Sequence, residues 1–131
     1  MMAASLAAAC DNPERQRIQQ VRSQLVGTWR YEGSHGGEQV RHTLHLGQDG
    51  RFTDTVRIQN VGQKPQDPVE YAGEWTYDGA HLKRRYMREN GRQYSGGGLR
   101  YSTFPLTSVA PAELVVQDNI ANEQRRYVRI A

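Results

Sequence analysis

The chain has 131 residues, a net charge of +3 from 17 basic and 14 acidic side chains, and a single cysteine. That length suits one domain with a modest core. The basic residues are spread along the chain, which argues against a nucleic-acid surface, and one cysteine excludes an internal disulfide. Hydrophobic residues make up only 37%, while 13 glycines and 7 tyrosines suit a small turn-rich all-β protein better than a helical bundle.

The first residues are small and apolar and end in Leu6-Ala7-Ala8-Ala9-Cys10. The chain then turns abruptly polar at Asp11-Asn12-Pro13-Glu14-Arg15. This junction resembles the lipobox that closes a bacterial lipoprotein signal peptide, in which the cysteine is lipidated and becomes the first mature residue. The bulky residue stands at Leu6, where that pattern puts it at the position of Ala7. There is no basic n-region, and the apolar run is shorter than an h-region of roughly 7–15 residues. The resemblance implies a partial signal peptide over 1–10, a folded domain over 11–131, and tethering by lipid on the periplasmic side of the inner or outer membrane. Asp11, by likeness to enteric lipoproteins, points to inner-membrane retention. The competing reading is a frayed Ala-rich terminus with a free thiol. No stretch after Cys10 is long and apolar enough to span a bilayer.

Asn12-Pro13-Glu14 reads as a helix start: a capping side chain, proline at the first helical position, and an acid in the first turn. Ile18, Val21 and Leu25 follow at helical spacing and make one narrow apolar stripe. A helix this short is marginal alone, so the stripe is expected to lie over one mouth of a barrel.

From Val26 the period changes to two. Gly27, Trp29 and Tyr31 alternate with Thr28 and Arg30. Gly27 permits a bend or a close backbone approach where helix becomes strand, and Trp29 offers the largest apolar surface of that strand for the core. After a Gly-rich turn at 33–37, Val40, His42, Leu44 and Leu46 share a face. Asp49-Gly50 signals a hairpin, and Phe52, Asp54, Val56 and Ile58 form the next face. A polar loop over 60–68 precedes Val69, Tyr71, Gly73, Trp75 and Tyr77, closed by Asp78-Gly79. On the following strand the inward set is open between Leu82, Arg84, Tyr86, Arg88 and His81, Lys83, Arg85, Met87. Asn90-Gly91 ends it. Strands over 99–107, 113–117 and 124–130 complete a count of eight. Consecutive hairpins with one-sided apolar faces close most economically as an antiparallel up-and-down barrel, which removes exposed edges. A two-sheet sandwich is the alternative.

A helical lead-in, Gly27-Thr28-Trp29 on the first strand, eight meandering strands and an arginine-bearing last strand together resemble the lipocalin and calycin superfamily, and small bacterial lipoproteins share this layout. The resemblance implies that Gly27 and Trp29 sit at the closed end with a last-strand arginine packed across the tryptophan. Arg125, Arg126 and Arg129 are the candidates, and Arg126 or Arg129 the preferred ones. The chain is shorter than secreted lipocalins and lacks their disulfides, which argues against a large ligand cup. Arg125 and Tyr127 also resemble the carboxylate-holding pair of fatty-acid-binding proteins. That register turns Val128 and Ile130 outward, so hydrophobic patterning ranks it lower.

Chemistry-bearing motifs are few. His42 and His45, three apart on a strand, face opposite sides and cannot share one ion. His35 lies in a turn and His81 opens a strand, so no metal or other cofactor is expected. Gly96-Gly97-Gly98 precedes no helix pattern and reads as a strand entrance, not a phosphate loop. No nucleophile elbow is present and no acid–base pair can be assembled, so an enzyme is not expected.

The residues of most interest are polar side chains on the expected inward faces: His42, Asp54, Tyr71, Tyr77, Arg84, Tyr86, Arg88 and Tyr101. An arginine in a barrel lumen must be paired or serve an anion, and tyrosine supplies an apolar wall with a hydroxyl. Such a lumen suits a small anionic or amphipathic ligand. The plainer reading is that Arg84 points outward and Asp54 pairs with whichever arginine points in. The expectation is a lipid-anchored, lipocalin-like protein of the cell envelope that binds such a molecule, with membrane contact through its lipid and no nucleic-acid partner. The alternative is a solid barrel acting through its surface as an interaction or inhibitor module, its protein partner unspecified. A filled interior around Trp29 and Trp75 would favour the alternative.

Overall fold

The computed structural model describes residues 12–60, 62–94 and 100–131. Cys10 and the segment before it lie outside the described residues. Helix α1 (Pro13–Leu25) is followed by strands β1 (Gly27–His35), β2 (Glu38–Leu46), β3 (Arg51–Asn60), β4 (Val69–Tyr77), β5 (His81–Glu89), β6 (Arg92–Gln93), β7 (Arg100–Val109), β8 (Glu113–Asp118) and β9 (Glu123–Arg129). All pairings are antiparallel. Strands β1 to β5 each join the next in the chain, as do β7, β8 and β9, β1 pairs with β9, and β5 takes both the two-residue β6 and β7 along one edge. The result is a closed eight-stranded up-and-down barrel with one short helix before the first strand, as the two-residue rhythm predicts.

Local chemistry explains the element ends. The Asn12 side chain accepts from the Arg15 N–H at 3.0 Å and caps α1. Asn90 and Gly91 both adopt positive φ, 51° and 80°, as a tight hairpin turn requires. Asp78 Oδ1 accepts from the N–H of Ala80 and of His81 at 2.9 and 2.6 Å, folding the β4–β5 turn. Positive φ at Gly36 and Gly37 makes the first hairpin tighter than the glycine run suggests, because β1 continues through His35.

One end of the barrel is stoppered. Leu25 and Trp29 are fully buried and Trp75 nearly so, with Leu46, Phe52, Leu82 and Leu114 around them. Helix α1 covers this end. Trp29 Nε1 donates to the Leu25 carbonyl at 2.9 Å, Arg22 lies 4.6 Å from the Trp75 ring centre, and Trp75 Nε1 donates to the Gly47 carbonyl at 2.8 Å. Helix becomes strand at Gly27, whose φ of +146° is closed to side-chain-bearing residues. A Cβ there would also strike the Arg129 guanidinium. Arg129 is the last-strand arginine on the tryptophan: its guanidinium carbon lies 4.2 Å from the Trp29 ring centre. Arg126 points outward and pairs with Glu113 at 2.6 Å, which corrects the expectation for that residue. The reason is register: Trp29 opposes Arg129, and alternation then sends Arg126 to the outside.

Candidate functional site

The functional candidates lie above the stopper, in the middle of the barrel and toward the end away from the helix. Asp54 on β3 and Arg84 on β5 are both buried at about the barrel's mid-height, 2% and 3% exposed. Arg84 Nη1 donates to Asp54 Oδ2 at 3.1 Å, and His42 Nδ1 lies 3.1 Å from the same oxygen. Arg84 therefore faces inward and Asp54 is its partner. The guanidinium sits among the rings of Phe52, Tyr86 and Phe104, 5.5–5.7 Å from their centres. Burial works against the charge on Arg84, but Tyr86, Tyr127 and Asp54 outweigh it, and the residue stays cationic.

A second, partly buried ion pair stands nearer the end away from the helix. Arg125 Nη2 lies 2.8 Å from Asp118 Oδ2, with the Arg125 guanidinium 5.4 and 5.5 Å from the Tyr31 and Phe104 ring centres. Asp118 also accepts from the N–H groups of Ile120 and Ala121 at 3.0 Å each. Burial disfavours its charge, yet the Ala121 N–H, Arg125 and the Ile120 N–H together hold its carboxyl below the usual aspartate range. Sequence reasoning missed this pair because the apolar Val128 and Ile130 argue for the opposite register. In the structure they are 53% and 44% exposed, while Tyr127 is buried and Arg125 faces in. The register with Arg125 and Tyr127 inside is thus the observed one. Arg129 imposes it, since the residue opposite Trp29 must share its face.

The other sequence candidates divide. Tyr71 and Tyr86 face inward in the half away from the helix, ring centres 5.6 Å apart in an edge-on contact. Burial, with Glu89 next in effect, raises the Tyr71 hydroxyl above its usual range, so it remains a donor at neutral pH. Tyr77 faces inward too, but at the stoppered end against the core. Arg88 and Tyr101 stand on the outer wall, contrary to expectation. At Arg88 the cause is an irregularity: Gly73 opposes Tyr86 while Ala72 opposes Arg88, so Met87 is an extra residue and the inside–outside phase flips beyond it. Tyr101 is 59% exposed because it opposes Arg85, an outward position.

Ser102, which the sequence does not single out, opposes Arg84 on the inward face of β7. Its hydroxyl and Arg84 Nε are both buried, and among the described residues no protein group bonds to either. Clefts of about 430, 520 and 290 Å³ lie on the wall and rim, and none of the three is lined by Arg84, Asp54 or Ser102. Among the described residues no group of three or more His, Cys, Asp or Glu side chains could hold a metal ion. His45 turns outward to the Thr28 hydroxyl at 2.9 Å, away from His42. No family model, curated protein or solved structure matches this chain.

Proposed function

We propose that this chain is a lipocalin-like protein of the bacterial cell envelope, lipid-anchored at Cys10 on the periplasmic side of the inner or outer membrane, whose barrel holds a small amphipathic molecule in its open half. The observation that carries the reading is the unequal filling of the cylinder. One half is packed shut around Trp29 and Trp75. The other is lined by only partly buried side chains, Val40, His42, Val56, Ile58, Tyr71 and Tyr86, an apolar wall with hydroxyl and imidazole groups set into it.

The chemistry favours an amphipathic ligand over a fully anionic one. Arg84 and Arg125 each have a carboxylate partner, Asp54 and Asp118, so neither offers an uncompensated charge. We assign the protein no catalytic activity. The lipid anchor rests on the place of Cys10, the only cysteine, where the apolar N-terminal run stops.

Native mass spectrometry of protein purified from its host tests the ligand: a retained small molecule is expected, and repeated absence would reject the reading. A second reading, a barrel acting through its surface as an interaction or inhibitor module, draws on the solid packing of the stoppered half, and that absence would favour it. Cys10→Ala should move the protein from the membrane to the soluble fraction; unchanged fractionation would reject the anchor.

A further inference from the structure

The structure assigns the inner end of the proposed ligand a neutral hydrogen-bonding head, an alcohol or amide-type group, seated on Arg84 Nε and the Ser102 hydroxyl. This inference rests on the ligand reading above and specifies its chemistry.

Arg84 carries five donor hydrogens in a fixed fork. Nη1 is used on Asp54. The buried Nε has no protein acceptor among the described residues, and the Ser102 hydroxyl has no partner there either. The two are not scattered: Arg84 and Ser102 oppose one another across β5 and β7, and both side chains face in. Cross-strand partners of this kind hold their Cβ atoms about 5 Å apart, so both side chains enter the same stretch of the interior. Leaving two buried polar atoms without partners is costly in a folded chain, and unsatisfied groups of this type call for an outside partner.

Charge decides the class of that partner. The guanidinium is neutralised by Asp54, whose carboxylate is also held by His42. A carboxylate or phosphate head would bring a second negative charge beside Asp54 in a low-dielectric interior, where like charges repel strongly. A hydroxyl or carbonyl oxygen accepts from Nε without that penalty, and a hydroxyl can also donate to the Ser102 oxygen. The tail then runs outward past Tyr86 and Tyr71.

The test uses 1-octanol and octanoate as probes on the full-length purified protein, followed by NMR of the Arg84 Nε–H group together with the Tyr71 and Tyr86 ring signals. Octanol is expected to shift the Nε–H signal and to bind at least tenfold more tightly than octanoate. Ser102→Ala should weaken octanol binding about fivefold, the loss of one hydrogen bond, while Thr103→Ala, on the outer face of the same strand, should not. Octanoate binding as tightly as octanol would overturn the neutral-head assignment and leave the ligand reading standing. So would tyrosine signals that move with octanol while Arg84 Nε–H stays still. Failure of both probes to perturb any of these groups would overturn the assignment and the ligand reading together.

Discussion

Arg129 lies over the Trp29 ring, its guanidinium carbon 4.2 Å from the centre, and at the same time donates to the carbonyls of Gln24, Val26 and Pro111 at 2.7, 3.0 and 2.6 Å. One side chain thereby ties the end of the helix, the start of the first strand, the β7–β8 turn and the last strand together. Those carbonyls are helix-end and turn groups that would otherwise lack partners. The contact seals the barrel where its first and last strands meet.

Arg129→Ala should therefore destabilise the fold by about 2–4 kcal/mol, several charge-assisted hydrogen bonds and a cation–π contact at a partly buried site. Arg126→Ala, which removes only an exposed pair with Glu113, should cost less than about 1 kcal/mol. Denaturant unfolding of both variants checks this. Equal losses would show that Arg129 is not the clasp.

Asp54→Ala should cost about 3–5 kcal/mol, because it strands the Arg84 charge in the interior. The double replacement Asp54→Leu with Arg84→Met should recover most of that loss, since an apolar pair of similar volume needs no compensation. Thermal melting of the single and double variants measures the coupling. A double variant as unstable as the sum of the two singles would mean the charges are not each other's partner.

Acid should attack the end away from the helix through Asp118. Its folded carboxyl titrates below the ordinary aspartate value of about 3.9. Its stabilising contribution is therefore complete above that unfolded value and is lost as pH falls through and below it. Asp118→Asn should flatten the decline in stability below about pH 4, read as denaturant midpoint against pH. An unchanged acid limb would remove Asp118 as its source.

Gly73→Ala should destabilise by about 1–3 kcal/mol, because a Cβ at that position would run into the Arg85 carbonyl oxygen on the neighbouring strand. Gly62→Ala is the comparison: nothing lies within 4 Å of its would-be Cβ, so only its φ of +78° resists the change. Similar melting shifts for the two would argue that the close approach of β4 and β5 at the bulge has no energetic weight.

The meander and its closure were legible from the chain alone, because they depend on local chemistry. Asn90-Gly91 and Asp78-Gly79 build their own turns, and short hairpins leave successive strands no choice but to pair. Trp29 was legible as a core anchor for a similar reason: it is a large ring on the apolar face of the first strand. Which side of β5 and β9 looks inward was not legible, since both strands carry polar residues on each face and a two-residue rhythm has no preferred phase there. Tertiary contacts chose it. The extra residue at Met87 turned Arg88 outward, and the demand that Arg129 meet Trp29 carried Arg125 and Tyr127 inside at the expense of Val128 and Ile130. The neutralised interior follows from that choice, because a buried cation persists only where the fold brings a carboxylate from a distant strand within reach.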